Sequence, residues 1–329
     1  MKLLNDIPSK YFVSVDIETV RIKEEFEDLS DDWQSAWEYK NKQDGEIPDN
    51  DELAEMWTKK AALYAEFSKV CAVSLTFLDT TEDKLMCKEF YGKDENKLLE
   101  DLKVFLDRIA YKDKSYRLVG HAAKYFDYPY LCKRYVINGI DVPIILDTAH
   151  LKPWESKNLC TNADVWKMGG TGSGSSLQAL CTALNIPISK VDLVGDEVGS
   201  AYFRGEYQRI GRYCSLDTIA TFNVIRKIKK EKVFSFEEVV YIEQETTAPE
   251  PKEIPLLERL YQTNSFSADI KEGLEKLLKK KKITAKDKEN LFKIIYGVYI
   301  HSNFEQNDMD SKRVLEQKTK EVNEFINSL

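Results

Sequence analysis

The chain of 329 residues has only three histidines, at 121, 150 and 301, and its six cysteines (71, 87, 132, 160, 181 and 214) form no CxxC pair. A structural zinc site needs several such ligands at short spacing, so none is expected. The cysteines lie mostly in apolar segments and read as reduced core residues of a cytoplasmic protein. No apolar run approaches the ~20 residues that cross a bilayer, and no membrane association is expected. The start, MKLLNDIPSK, lacks the apolar stretch of a secretory signal. Positive charge is also in deficit, with a formal net charge of −8. A broad basic field of the kind that captures nucleic acid is therefore absent, although an enzyme that touches only a few nucleotides needs none. The stretch GGTGSGSS (169–176) has no Walker lysine and no GxGxxG spacing, so it reads as a loop that can flank a substrate strand, not as a phosphate cradle.

Hydrophobic residues make up 43% of the chain, enough for a substantial core. Strands are expected over 11–19, 70–78, 85–91, 117–120 and 144–148, with the second and third paired antiparallel. Helices are expected over 94–110, 127–137, about 177–186 (N-capped by Ser175 or Ser176) and 206–230. Residues 24–55 carry thirteen acidic and two basic side chains. They belong to a polar helical insert at about 24–67, broken by GEIPDND and anchored by Trp33, Trp37, Trp57, Tyr64 and Phe67. TTAPEPKEIP at 246–255 reads as a Pro-rich linker. Residues 256–329 read as a small helical module containing the lysine run 279–282, which is a solvated helix end or a nucleic-acid contact. Strands first, then strands alternating with helices, indicate an α/β domain over 1–245 with a mixed sheet.

The stretch YFVSVDIETV (11–20) sets Asp16 and Glu18 on one face at the end of an apolar strand, because residues two apart in a strand point the same way. Two such anions repel unless something neutralises them. LVGHAAKYFDYPYL (118–131) places Asp127 at a helix start, and RIGRYCSLDTIATFNVI (209–225) places Tyr213 and Asp217 four apart, on one face of a helix. Asp16, Glu18, Asp127 and Asp217 form a set of hard oxygen donors suited to two divalent cations, Mg²⁺ or Mn²⁺. Such a pair suits in-line displacement at phosphorus, and Tyr213 can orient the attacking water. Read singly, Asp16 and Glu18 could end a solvated strand, Asp127 could cap its helix, and Tyr213 with Asp217 could be a structural pair.

DIET, GHAAKYFD and YCSLD occur in the order and at roughly the separations of the three exonuclease motifs of the DEDD superfamily. The chain resembles the DEDDy branch, and is similar to the proofreading 3′–5′ exonuclease domains of family B DNA polymerases over residues 10–230. The branch point is local. Arg212 stands where DEDDh enzymes carry histidine, and Tyr213 stands where DEDDy enzymes carry tyrosine. The resemblance implies a ribonuclease H-like fold and Asp16, Glu18, Asp127 and Asp217 as metal ligands, with Asp16 touching both ions. It also implies Tyr213 as the residue that positions the water. Ala122 departs from the family, which usually has asparagine there to hold the terminal nucleotides.

For the substrate, Thr19, His121, Lys124, Phe126 and Tyr128 are the candidate contacts, with Tyr125 as a further aromatic. Lys124, Tyr125 and Tyr128 can grip phosphate or stack on a terminal base; His121 and the aromatics can equally be structural. The expected activity is metal-dependent 3′–5′ hydrolysis of single-stranded DNA to nucleoside 5′-monophosphates, in replication or repair. An exoribonuclease of the same superfamily and a non-catalytic interaction module are the alternatives. The 74 residues from 256 onward are too few for a polymerase, so proofreading would act in trans. A replication or repair protein could dock on the acidic insert or the C-terminal module.

Overall fold

Alternation along one strand organises the molecule. In a computed structural model, which describes residues 2–242 apart from 43–44, 80–83, 153–154, 172–173 and 189–192, the elements in chain order are α1 (Lys2–Asn5), β1 (Phe12–Arg21), α2 (Asp31–Lys40), α3 (Asn50–Lys60), β2 (Ser68–Asp79), β3 (Lys84–Tyr91), α4 (Glu95–Lys112), β4 (Arg117–Gly120), α5 (Asp127–Ile137), β5 (Leu159–Cys160), α6 (Leu177–Leu184), α7 (Val198–Phe203), α8 (Tyr207–Ile228) and β6 (Val239–Ile242). Odd residues of β1 (Val13, Val15, Ile17) join a core with Leu98, Leu102 and Leu106 of α4 and Leu131 and Tyr135 of α5. Even residues face α8: Phe12 packs with Ile219 and Phe222, and Val20 with Ile210 and Cys214. Both faces of the strand are thus covered, as a central strand requires. Between Phe12 and Val20, the face under α8 carries Ser14, Asp16 and Glu18.

The sheet has six strands in the order β5-β4-β1-β2-β3-β6. β1, β2 and β3 are antiparallel neighbours, whereas β4, β5 and β6 each join in parallel. This mixed sheet flanked by helices is the α/β, ribonuclease H-like arrangement that the resemblance implies. β1 is irregular between Glu18 and Thr19, where the register against β2 shifts. A bulge there turns the strand end directly after the second carboxylate.

Between β1 and β2, helices α2 and α3 bury Trp37 and Trp57 completely. The two indoles meet edge-to-face at 5.2 Å, and Trp37 meets Phe67 at 5.1 Å. Both indole N–H groups are used, donating to Leu53 O and Lys23 O. Trp33 is 41% exposed but also meets Phe67 edge-to-face at 5.8 Å. The sequence expectation of a strand at 144–148 fails. These residues turn instead, with Pro143 O accepting the N–H groups of Leu146 and Asp147. Leu146 is buried in the core while Ile144 is exposed, so the apolar run IIL is divided between inside and outside by the turn. The edge of β4 is filled by Leu159–Cys160.

The described residues fall within one compact unit, Met1–Gln244. The expected linker at 246–255 and helical module at 256–329 lie outside the described residues. Among the described residues, no helix is long and apolar enough to cross a membrane.

Candidate active site

Three elements bring four carboxylates together. β1 presents Asp16 and Glu18 toward α8, whose Cys214 thiol donates to the Asp16 main-chain oxygen (3.3 Å) and to its Oδ2 (3.5 Å). Ligand atoms of Asp16, Glu18 and Cys214 all lie within 4.8 Å of one another. Asp217 follows Cys214 by three residues on the same side of α8. The last paired residues of β1 and β4 are Ser14 and Val119. Beyond them, the buried carboxylate of Asp127, first residue of α5, accepts the N–H of Ile17.

The electrostatics follow from this packing. Desolvation, then the charges of Asp127, Asp217 and Glu18, push Asp16 well above the usual carboxylate range. Desolvation, Asp217 and Asp127 do the same to Glu18. Burial raises Asp127 to about 7 against two opposing hydrogen bonds, and raises Asp217 to about 6. The only opposing influence on Asp16 is the weak thiol donor Cys214. Four hard oxygen donors in a partly buried cluster, each disfavoured as an anion, form a set that divalent cations would fit and neutralise.

Tyr213 borders the same cluster. Its phenol is pushed upward by desolvation and then by Glu18, Asp217 and Asp16. A Cβ at Gly195 would stand 3.8 Å from its hydroxyl. Arg212 points elsewhere: its guanidinium lies 3.4 Å from the Tyr241 ring centroid and 3.4 Å from Glu89 Oε1. That spacing is an ion pair without hydrogen-bond geometry, which leaves Glu89 Oε1 a buried oxygen with no hydrogen-bond donor.

The sequence model of a family described as "predicted 3′–5′ exonuclease related to the exonuclease domain of PolB" matches residues 61–248, more than half of the chain. The chain belongs to this family. The matched stretch of the exonuclease family contains Asp127, Tyr213 and Asp217; Asp16 and Glu18 precede it, and the fold brings them to the other carboxylates. No curated protein matches the chain.

The substrate candidates separate into different environments in this exonuclease domain. Tyr128 is a core residue whose hydroxyl donates to Leu159 O at 2.8 Å, so its ring offers no face to a base. Thr19 donates to Ala62 O at 2.8 Å, and Phe126 stacks at 5.0 Å on Tyr130. Lys124 is paired with Asp164 at 2.9 Å. His121 Nε2 lies 2.8 Å from Ser175 O, and Nδ1 lies 2.9 Å from Thr161 Oγ1. A carbonyl can only accept, so Nε2 carries the proton, and Nδ1 faces the Thr161 hydroxyl, which also reaches Gly120 O at 3.4 Å. Desolvation depresses the His121 pKa, which favours this neutral form.

Two participants escaped the sequence reading. Cys214 is a free, buried cysteine as its apolar surroundings predict, and its place three residues before Asp217 also puts it on the carboxylate side of the helix. Ser175 is a junction: besides His121, its N–H meets Asn162 Oδ1 (3.2 Å) and its Oγ accepts from Trp166 Nε1 (3.1 Å). Gly174 is required beside it, since a Cβ there would come within 2.0 Å of the Asn162 amide. The helix that follows is capped by Ser176, whose Oγ accepts the Ala179 N–H.

Proposed function

We propose that the chain is a divalent-cation-dependent 3′–5′ exonuclease of the tyrosine-containing branch, with single-stranded DNA as substrate and nucleoside 5′-monophosphates as products. The observation that carries this reading is the convergence of Asp16, Glu18, Asp127 and Asp217, from three separate elements, into one partly buried cluster whose charges act on one another. In a family of predicted 3′–5′ exonucleases, such a cluster fits the four-carboxylate site. DNA is favoured by the resemblance to the exonuclease domains of family B DNA polymerases.

Asp16, Glu18, Asp127 and Asp217 would hold the ions. Bound divalent cations would supply charge neutralisation for the carboxylates and for the scissile phosphate. The rest falls to the protein. The Tyr213 phenol, a group already protonated at neutral pH and pushed further upward here by burial and the neighbouring carboxylates, can hold a water by hydrogen bonding. That water's oxygen bonds to the terminal phosphorus, and the bond from phosphorus to the preceding nucleotide's 3′ oxygen breaks. The 3′ oxygen takes a proton and becomes the new strand end, and the freed nucleotide keeps the phosphate on its 5′ carbon. Cys214, donating to Asp16, would help orient that carboxylate toward the cations.

Digestion of 5′-labelled DNA and RNA of one sequence, with Mg²⁺ or Mn²⁺ and with EDTA, tests the proposal. Faster loss of DNA, absent in EDTA, is expected. Preferential loss of RNA would make the chain an exoribonuclease, and undiminished activity in EDTA would remove the metal mechanism.

A further inference from the structure

The parallel strands β1, β4 and β5 end on the same side of the sheet. Ser14 pairs with Val119 and Val119 with Leu159. The segments leaving β4 (121–127) and β5 (161–168) therefore emerge at the edge where β1 continues into Asp16 and Glu18. In α/β sheets, ligands lie beyond the carboxyl ends of such strands. These two segments are also fastened to each other. Lys124 pairs with Asp164 at 2.9 Å, and His121 joins Thr161 at 2.9 Å and Ser175 at 2.8 Å. Asp164 is itself held by the Cys160 N–H at 2.7 Å. Residues 161–166 form a turn of π-helix, a local form that recurs at functional sites.

On the outside of this fastened ridge stands Tyr125, two residues before Asp127 and 69% exposed. Lys167 Nζ lies 5.9 Å from the ring centroid, and Met168, 66% exposed, follows it. Lys124 and Tyr128 are occupied by Asp164 and by the core, whereas Tyr125 is mostly exposed with the Lys167 ammonium over one side of its ring, and that ammonium has no carboxylate partner in the described contacts. An exposed aromatic ring beside a lysine, at the rim of a site for a phosphodiester strand, is the pair of groups that single strands use: the base stacks and the phosphate meets the cation.

We infer that Tyr125 and Lys167 form a subsite for single-stranded nucleic acid at the rim of the carboxylate cluster. Tyr125 stacks on one base of the strand entering the site, and Lys167 contacts an adjacent phosphate. This rests on the exonuclease reading and adds the residues that grip the strand.

The test uses the full chain and a 5′-fluorescein single-stranded DNA, with binding read by anisotropy in Ca²⁺ and cleavage read in Mg²⁺. Tyr125→Ala should weaken binding and raise KM by roughly 5- to 150-fold, the range for one lost base stack. Its kcat should stay within about twofold, because the chemistry is untouched. Tyr125→Phe keeps the ring and should match wild type. Lys167→Gln should lower the salt slope of binding by about 0.7. One abasic position in the strand should reproduce the loss in wild type and cause no further loss in Tyr125→Ala. Wild-type KM in a folded Tyr125→Ala, on a chain that does cleave, would overturn the subsite alone. A wild-type chain that neither binds nor cleaves any strand would overturn the exonuclease reading, and the subsite with it.

Discussion

Tyr213 sits one helical turn before Asp217, and the water-orienting role proposed for it depends only on its hydroxyl. Tyr213→Phe should therefore reduce kcat by about 10² to 10⁴ while leaving Mn²⁺ binding intact. Single-turnover cleavage together with a Mn²⁺ titration checks this, and wild-type rates in the variant would make Tyr213 structural. Asp217 and Asp127 carry a pH signature. Their folded pKa values, about 6 and about 7, lie above the ordinary 3.8. For acids raised in this way, the stability present below pH ~4 is lost as the pH climbs to ~7, because ionisation costs the folded state. In EDTA, Asp217→Asn should be more stable than wild type by on the order of 1–3 kcal/mol at pH 7.5 and by little at pH 4.5. Thermal melts at the two pH values test this; an equal difference at both would contradict the charge argument. At this scale the grouping of Asp16 with Glu18 and of Tyr213 with Asp217 was legible, since each pair lies in a short motif whose spacing fixes a common face. Cys214 was not, because its partner Asp16 is 198 positions away. Tyr128 misled as a substrate contact, although its spacing with Leu131 and Tyr135 (i, i+3, i+7) marks a buried stripe of α5.

The helix α8 aims Tyr213, Cys214 and Asp217 because its other sides are pinned. Thr218 Oγ1 lies 2.8 Å from Thr76 Oγ1, Arg212 is stacked on Tyr241, and Gly211 lies against Tyr91. A Cβ at Gly211 would meet Tyr91 Cδ1 at 2.4 Å. Gly211→Ala should thus cost about 1–3 kcal/mol by overpacking, offset by only ~1 kcal/mol of helix propensity. It should also lower kcat by displacing Tyr213. Urea denaturation and kinetics on one preparation decide this, and a stabilised, fully active variant would refute the packing account. Long, periodic elements were foreseeable: α4 and α8 follow the apolar spacing of Leu98, Leu102 and Leu106, and of Ile210, Ile219 and Phe222. The edge strands β5 and β6 were not. β5 has only two residues, and both form by pairing with strands distant in sequence. At 144–148 a β-rich run lost to the turn after Pro143, because local preference yields to burial of Leu146.

For the whole molecule, the net charge of −8 and the acidic residues of 24–55 leave little long-range attraction for a polyanion. Affinity must come from local contacts, and we propose the lysines at 279–282, 286 and 288 as a second source. Truncation after residue 245 should raise KM for oligonucleotides and flatten its salt dependence by about 0.7 per lost phosphate contact, with kcat little changed. An unchanged KM and salt slope in a folded truncation would favour a protein-docking role for that segment. The central claim is that the four carboxylates form a cation site that admits a free 3′ end. It is tested most directly by giving wild type and Asp217→Asn the same single-stranded DNA as a 5′-labelled linear strand and as a covalently closed circle, in Mg²⁺. The account predicts a ladder of progressively shorter 5′-labelled products from the linear strand with wild type, an intact circle, and no products with Asp217→Asn. Cleavage of the circle, or a ladder made at the wild-type rate by Asp217→Asn, would contradict it.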